Sequence, residues 1–222
     1  MSKGQIRHTS FGQKQRLSFL DIFGRYLSER MVSKILKRLK KPDIVMMDIG
    51  CGYDGSMMRK FSPLISKGVA IDVAVSQDLK SVPNLKVYEQ PIENVLPNLD
   101  ENYFDVILMN SVLEHLEDPL FVLKECRRAL KESGILICNV PTWLGKYFLE
   151  KAAYVFKLSP IPEVDDHKMY YDKRDLWPVL VKSGFKSSSI KLTYHKFGLD
   201  LYSVCGKKPM ESYSIYVDRE KG

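Results

Sequence analysis

The sequence predicts an α/β fold, a doubly wound and mostly parallel sheet of seven strands with an N-terminal helical appendage. Residues 44–49, 105–110 and 135–140 form nearly continuous apolar runs, which is the pattern of parallel strands buried on both faces. Segments with helical periodicity alternate with the strands, as the crossovers of a parallel sheet require. Three closely spaced glycines follow the first run, and a glycine turn between a strand and a helix is suited to binding a nucleotide.

The size and composition of the chain fit one domain. It has 222 residues, of which 45% are hydrophobic, and this is enough for one complete core. The four cysteines are widely separated and lack Cys-x-x-Cys spacing, so we expect neither a disulfide framework nor a metal site. No run approaches the roughly 18 apolar residues that span a bilayer. The polar, basic start lacks the apolar core of a signal peptide, and we expect a cytoplasmic protein.

Positive charge is concentrated in residues 1–41, which hold 11 lysines and arginines but only two acidic residues. The whole chain carries a net charge of +7, so the remainder is slightly acidic. An enzyme that acts on nucleic acid more often spreads positive charge around its cleft, and a nucleic-acid partner is therefore not expected. Three roles stay open for the basic segment: a helix packed on the core, a lid over the ligand, or a peripheral contact with an anionic membrane.

Residues 16–40 predict an amphipathic helix, because apolar residues recur at intervals of three and four with lysine and arginine between them. The apolar positions are Leu17, Leu20, Phe23, Leu27, Met31, Ile35 and Leu39. Gly24 can divide this helix, and Pro42 ends it before the first strand. Residues 1–41 are thus predicted as a basic amphipathic appendage or lid, and residues 42–206 as the main domain.

The main domain alternates between predicted strands and helices. Its first part comprises strands at 44–49, 68–72, 85–88, 105–110 and 135–140, with helices at 56–65 and 119–131, the second of which ends before Gly134. An insert rich in aromatic residues follows at about 142–171. The last part comprises a helix at 173–183 capped by Gly184, a closing strand pair at 188–195 and 201–206, and a polar tail at 207–222.

The glycine turn leaves two classes of nucleotide enzyme open. Gly50, Gly52 and Gly55 satisfy the G-x-G-x-x-G fingerprint of dinucleotide binding, which keeps an NAD(P)-dependent oxidoreductase as an alternative. Asp72 ends the second strand 22 residues beyond Gly50, where an acid can accept hydrogen bonds from both ribose hydroxyls. Tyr147 and Lys151 also match the Y-x-x-x-K of short-chain dehydrogenases, but the chain lacks that family's Gly-x-x-x-Gly-x-Gly turn.

Several motifs in order favour a different cofactor. They are Asp48-Ile49-Gly50-Cys51-Gly52, Phe104-Asp105-Val106-Ile107, Leu113-Glu114-His115-Leu116-Glu117-Asp118-Pro119 and Leu130-Lys131-Glu132-Ser133-Gly134-Ile135-Leu136. Over about residues 43–141 the chain resembles the class I S-adenosylmethionine (SAM) dependent methyltransferases. Within that class it is most similar to the ubiquinone-biosynthesis O-methyltransferases.

The resemblance implies SAM as cofactor and a set of residues that contact it. Asp48 would lie near the methionine end, Gly50 and Gly52 under the sugar and amino-acid portion, and Asp72 at the ribose. The full implied set is Asp48, Gly50, Cys51, Gly52, Asp72, Ile92 and Asn110. The chain departs from the family where an Asp often contacts the adenine amine, because Gln90-Pro91-Ile92-Glu93 stands there. The family's Pro-Gly-Gly turn is Glu132-Ser133-Gly134 in this chain.

Methyl transfer needs few catalytic residues, since the donor is already activated and the protein mainly aligns and dehydrates the reactants. An acceptor hydroxyl still benefits from a base, and histidine suits that task. His115 follows the fourth strand and His167 lies in the insert, so these two are the candidate bases. Asp165, Asp166 and His167 are adjacent and cannot all face one metal ion.

The acceptor is less clearly defined. There is no Asn/Asp-Pro-Pro-Tyr/Phe after the fourth strand and no Pro-Cys, so methylation of a nucleic-acid base is disfavoured. The aromatic insert and the basic helix fit a small molecule, a lipid or a saccharide, methylated at oxygen. Besides the oxidoreductase, a protein that binds SAM without turnover is the remaining alternative.

Overall fold

The computed structural model describes residues 10–13, 19–150 and 168–209. Its helices are α1 (Phe19–Leu39), α2 (Ser56–Phe61), α3 (Gln77–Lys80), α4 (Ile92–Val95), α5 (Pro119–Ala129), α6 (Trp143–Glu150) and α7 (Lys173–Lys182). Its strands are β1 (Val45–Ile49), β2 (Lys67–Asp72), β3 (Leu85–Glu89), β4 (Phe104–Asn110), β5 (Leu130–Pro141), β6 (Ile190–His195) and β7 (Asp200–Gly206).

The seven strands form one sheet in the order β3-β2-β1-β4-β5-β7-β6. The first five are parallel to one another, whereas β7 runs antiparallel to both β5 and β6. The chain therefore winds outward from β1 in both directions and closes with a hairpin. This architecture confirms the predicted α/β fold with a mostly parallel seven-stranded sheet and an N-terminal helix.

The core has two layers, one on each face of the sheet. Ile107 and Leu136 belong to the layer that α5 and α7 cover, while Leu108 and Ile137 belong to the layer under α1, α2 and α3. All four side chains are fully buried. Alternate residues of the central strands thus face opposite layers, which explains why these strands are apolar throughout.

Helix α1 packs on the sheet from its middle to its end. Ser28, Val32, Ile35 and Leu36 are buried, but Phe23, which the sequence placed on the same apolar face, is 45% exposed. The start of the helix lies beside the turn between β6 and β7, since a Cβ placed on Gly24 would be 3.5 Å from Nζ of Lys196. The helix also continues through Gly24 rather than dividing there.

Two predicted helix ends were wrong. The helix predicted at 119–131 ends at Ala129, because Leu130 already pairs with Phe104 and Gly134 lies inside β5. The helix predicted at 56–65 ends at Phe61, and a 3₁₀ turn follows. That turn contains Pro63, which has no backbone N–H to donate to the Arg59 carbonyl; the Ser62 hydroxyl donates to that carbonyl instead, at 3.0 Å.

Asp105, at the amino end of β4, joins three parts of the fold. Its carboxylate accepts hydrogen bonds from Lys41 after α1, from the Val45 amide of β1 (2.9 Å) and from Lys131 of β5 (2.9 Å). Burial alone would raise the pKa of this carboxyl group, but these hydrogen bonds hold it below the ordinary value. A carboxylate with a lowered pKa in the folded state stabilises the fold above the pKa of the unfolded chain.

Replacing Asp105 by Asn should lower the free energy of unfolding at pH 7 by about 1–3 kcal/mol, because Lys41 and Lys131 lose their counter-ion. As the pH falls below about 4, the carboxyl group takes up a proton first in the unfolded chain, and the wild-type protein loses this contribution progressively until the pH passes the lowered pKa of the folded state. The difference between the two proteins should therefore shrink at pH 3 in urea unfolding. Asp78→Asn, at an exposed acid of α3, is the matched control; an equal deficit at both pH values would contradict this role.

Candidate functional site

The candidate site lies at the carboxyl edge of the parallel strands, where open α/β sheets bind ligands. The glycine turn follows β1 there, Asp72 ends β2 and Asn110 ends β4. Because β1 pairs with both β2 and β4, the three strand ends are neighbours. The structure therefore brings together the main cofactor residues that the sequence motifs indicated.

The backbone of the glycine turn adopts the left-handed conformation at each glycine, with φ of +69° at Gly50, +76° at Gly52 and +52° at Gly55. The Gly50 and Cys51 amides both donate to the carbonyl of Ile71 on β2, at 2.8 and 3.2 Å. A Cβ placed on Gly50 would lie 2.3 Å from Cγ2 of Val112. Glycine is thus required at position 50 both by the backbone angle and by the space.

Asp72 is hydrogen-bonded to the same turn. Its Oδ2 accepts from the Gly52 amide at 2.8 Å, and its Oδ1 accepts from the amide of Val73 at 2.8 Å. The next loop is adjacent, because the Gln90 amide donates to the Asp72 carbonyl at 2.9 Å. Ile92 begins α4 two residues later, which puts the predicted adenine segment beside the predicted ribose acid.

Asp48 is 3% exposed, on β1 two residues before the turn. Burial, and next the negative charge of Asp72, raise the pKa of Asp48 well above its usual value. Burial and the charge of Asp48 in turn raise the pKa of the Cys51 thiol. The thiol is therefore protonated near neutral pH, so Cys51 is not a nucleophile.

Two carboxamide oxygens lie side by side at the ends of β4 and β5. Asn110 and Asn139 are partners in the strand register, and within the described parts of the chain the Oδ1 atom of each is buried without a hydrogen-bond partner. The Nδ2 group of Asn139 donates to Asp200 at 3.0 Å, and Asp200 forms an ion pair with Lys196 at 2.6 Å. This network fixes the Asn139 side chain.

Sequence analysis did not single out Asn139. One signal was available in the sequence: a polar residue, Asn139, interrupts the apolar run 135–140. In the structure this position is fully buried. An unpaired polar group in such a position costs free energy unless water or a ligand satisfies it. Asn110 and Asn139 together therefore form a place at the sheet edge that accepts hydrogen bonds.

His115 lies in the 3₁₀ turn Leu113–His115 directly after β4, and its amide donates to the Val112 carbonyl at 2.9 Å. In the same turn, the Glu114 carbonyl accepts hydrogen bonds from the amides of Lys168 and Met169, at 2.8 and 3.3 Å. The last part of the aromatic insert thus returns to the turn that carries His115. His167, the other candidate base, lies outside the described residues, although it directly precedes Lys168.

The N-terminal segment covers part of the glycine turn. The Tyr53 amide donates to the Phe11 carbonyl at 2.9 Å, and that carbonyl is 3.5 Å from a Cβ placed on Gly52. Ser10 is buried beside it. Residues on the amino side of α1 therefore lie against the glycine turn.

The described residues contain no group of three His, Cys, Asp or Glu side chains that could hold a metal ion. In the same part of the chain, no helix is long and apolar enough to cross a membrane. Of the tyrosine and lysine that matched the dehydrogenase motif, Tyr147 is 59% exposed on α6, and Lys151 lies outside the described residues.

Comparisons with known proteins agree with this geometry. Residues 47–138 match the family model described as a methyltransferase domain. A ubiquinone biosynthesis O-methyltransferase from Cereibacter sphaeroides is 27% identical over 176 residues, which are 72% of this chain and 68% of that protein. One from Pelagibacter ubique is 30% identical over 65% of this chain and 64% of its own length.

Solved structures share the fold. A SAM-dependent methyltransferase from Archaeoglobus fulgidus has a TM-score of 0.58 at 17% identity, covering 84% of this chain and 99% of that one. A 1,6-didemethyltoxoflavin-N1-methyltransferase from Burkholderia thailandensis, solved with S-adenosylhomocysteine, has a TM-score of 0.59 at 16% identity, covering 83% of this chain and 79% of that one. Residues 47–138 are thus a methyltransferase domain, and the protein is an enzyme that uses SAM as its cofactor. This confirms the identification from the sequence motifs over the oxidoreductase alternative.

Replacing Gly50 by Ala should destabilise the fold by about 2 kcal/mol or more, because the new methyl group meets Val112 in a left-handed backbone. The rise in melting temperature that S-adenosylhomocysteine gives the wild-type protein should also be lost. Gly24→Ala is the control, since Gly24 lies within α1 and its Cβ would be 3.5 Å from Lys196. That variant should be as stable as wild type or slightly more so; equal behaviour of the two variants would refute the requirement for glycine at position 50.

Proposed function

We propose that the enzyme transfers the methyl group of SAM to a hydroxyl oxygen of a small-molecule, lipid or saccharide acceptor. The observation that carries this proposal is the pair of buried, unpaired carboxamide oxygens of Asn110 and Asn139 beside the glycine turn. An oxygen of this kind accepts a hydrogen bond from a hydroxyl group. The name of the curated relatives, O-methyltransferases, supports oxygen as the acceptor atom.

The residues at the sheet edge fit the cofactor by their chemistry. Gly50 and Gly52 have no side chain, and the thiol of Cys51 between them is buried. A sugar could therefore approach this part of the backbone closely. The Asp72 carboxylate would accept hydrogen bonds from the ribose hydroxyls. Ile92 would contact the adenine ring, and Asn110 would lie near the amino-acid portion. When bound, SAM supplies a methyl group already activated by a positively charged sulfur.

Asp48 has a distinct role in this proposal. Burial and the charge of Asp72 favour its protonated form, and a cationic group bound beside it would favour the carboxylate instead. SAM carries positive charge on both its amino group and its sulfur. Asp48 would therefore release its proton when the cofactor binds and would offset the cofactor's charge in a site closed to water.

His115 and His167 are the proposed bases. His115 follows β4, so it lies at the same carboxyl edge of the sheet as Asn110. The hydrogen bonds between Glu114 and the amides of Lys168 and Met169 bring the chain next to His167 to the same turn. Either imidazole could take the hydroxyl proton as the carbon–oxygen bond forms and the methyl carbon–sulfur bond breaks, with S-adenosylhomocysteine as the leaving group. Loss of that proton would make the acceptor oxygen a better nucleophile.

The domain organisation gives the acceptor a route to this site. We propose residues 10–13 and the start of α1 as a lid, since residues 10–13 already contact the glycine turn, and the described ends of the aromatic insert, α6 and residues 168–171, as the other wall of the acceptor pocket. The main domain would end near residue 206, before the polar tail at 207–222. A lid and an insert placed in this way would exclude water while admitting a small or lipid acceptor.

Incubation of the enzyme with SAM labelled in its methyl group, together with small-molecule and lipid extracts, should transfer label to a nuclease-resistant, non-protein product. His115→Asn should lower the turnover rate by about 10²–10⁴-fold without changing the affinity for SAM. The change should appear in kcat and not in the dissociation constant measured by calorimetry.

The opposite results are equally specific. Binding of SAM without label transfer to any fraction would point to a protein that binds the cofactor without turnover. Label in nucleic acid would contradict the proposed acceptor class. Unchanged turnover in His115→Asn would remove His115 from the mechanism and leave His167→Asn as the next variant to measure.

A further inference from the structure

Large apolar side chains are exposed at one corner of the molecule. They come from the start of α1, from α6 and from the turn between β6 and β7: Ile22, Tyr26, Trp143, Leu144, Phe148 and Phe197. Their exposed fractions range from 43% to 92%, and Phe197 has the highest value. We call these six residues the apolar corner. Exposed apolar groups from several elements at one place mark an interaction surface more often than single exposed residues do.

Contacts between the three elements make the apolar corner a single surface. The Thr142 hydroxyl, just before α6, donates to the Gly198 carbonyl at 2.7 Å, and a Cβ placed on Gly198 would lie 3.5 Å from Leu144. On the other side of the turn, Lys196 approaches α1, with its Nζ atom 3.5 Å from a Cβ placed on Gly24. The β6–β7 turn thus lies between α1 and α6.

The apolar corner lies on the same edge of the sheet as the glycine turn. Pro141, the last residue of β5, pairs with Asp200, the first residue of β7. The turn that carries Phe197 is therefore at the carboxyl edge of the parallel strands, as is the start of α6. The start of α1 is there too, because it approaches the same turn at Gly24. The apolar corner and the glycine turn thus lie at one edge of the sheet.

The backbone of the β6–β7 turn is strained. Lys196, Phe197 and Gly198 have φ values of +48°, +59° and +86°, and the left-handed conformation is costly for the two residues that have a side chain. Phe197 is 92% exposed, so burial of its ring within the chain does not offset that cost. The turn therefore presents a large apolar ring to the surroundings of the chain.

The charges next to the apolar corner indicate which partner binds. Ile22, Tyr26, Arg30 and Lys34 are spaced four residues apart and lie along one line of α1, and all four are exposed. The line is apolar at the tip and basic from Arg30, about 12 Å further along the helix. An anionic bilayer has an apolar interior covered by a layer of negatively charged headgroups. Apolar and aromatic groups at the tip, with cations about one headgroup layer further along the helix, are complementary to that order.

We propose that the apolar corner docks on an anionic lipid bilayer, with Phe197 at the level of the acyl chains and Arg30 and Lys34 at the level of the headgroups. The inference rests on the proposed function, because the docked orientation turns the carboxyl edge of the sheet toward the bilayer. An acceptor dissolved in the membrane then reaches the methyl donor without crossing water. The excess positive charge of residues 1–41 attracts the same lipids.

The test is co-sedimentation of the full chain with vesicles of phosphatidylcholine containing phosphatidylglycerol, and with vesicles of phosphatidylcholine alone. Wild type should bind the anionic vesicles more tightly, and salt should weaken the binding. Phe197→Asn should weaken it by about tenfold. Asparagine tolerates the left-handed conformation, so this variant keeps the turn. Arg30→Gln should weaken binding by about fivefold at low salt.

Leu64→Asn is the matched control. Leu64 is 49% exposed but lies before β2, at the opposite edge of the sheet, so its replacement should leave vesicle binding unchanged. The affinity for SAM should be the same in all these variants. In a Trp177→Phe background, the remaining tryptophan, Trp143, should shift its fluorescence to the blue when anionic vesicles are added.

Three results would overturn the proposal: no binding of wild type to anionic vesicles, equal binding by Phe197→Asn and Leu64→Asn, or a wild-type dimer that dissociates in Phe197→Asn without any vesicle binding. The last result would assign the apolar corner to contact with a second copy of the chain. The two experiments distinguish a failure of docking from a failure of the proposed methyl transfer. Label transfer without vesicle binding counts against docking alone, and vesicle binding without label transfer counts against the proposed function alone.

Discussion

The hydrogen bond from the Gly52 amide to the Asp72 carboxylate determines the geometry of the whole site. It joins the glycine turn after β1 to the end of β2, and the amides of Gly50 and Cys51 add two further hydrogen bonds to Ile71. The turn can form these bonds because glycine permits the left-handed backbone at Gly50 and Gly52. A backbone that approaches so closely leaves space for a ligand, and in the proposed function the carboxylate that holds the turn also accepts hydrogen bonds from the ribose.

Electrostatics divides the sheet edge into two parts. On the β1–β2 side, burial and next the charge of Asp72 raise the pKa of Asp48, which suits a cationic cofactor. On the β4–β5 side, the neutral amides of Asn110 and Asn139 lie near the Lys196–Asp200 ion pair and the buried carboxyl group of Glu114. In our account the cofactor's charge is offset on the first side, while the second side orients an uncharged hydroxyl. Asp105 performs a different task at the opposite edge, where it holds α1, β1 and β5 together.

The strands and the cofactor turn could be predicted from the sequence because they depend on local patterns: apolar runs for buried strands, glycine spacing for the turn, and an acid at the end of β2. Tertiary contacts decided the rest. Leu130 became a strand residue because Phe104 was available to pair with it. Phe23 is exposed although Val32, Ile35 and Leu36 on the same predicted face are buried, because only the middle and the end of α1 pack on the sheet. Asn139 can be recognised as a candidate site residue only when it is seen beside Asn110. The apolar corner likewise exists only because the β6–β7 turn lies between α1 and α6. No periodicity along the chain reports such juxtapositions.

Titration calorimetry with SAM and, separately, with NADH tests most directly whether this edge is built for a methyl donor. The account predicts that one SAM binds per chain, that NADH does not bind, and that Asp72→Ala weakens SAM binding by at least about tenfold while the variant remains folded. Binding of NADH in preference to SAM, or an Asp72→Ala variant with the affinity of wild type for SAM, would contradict it.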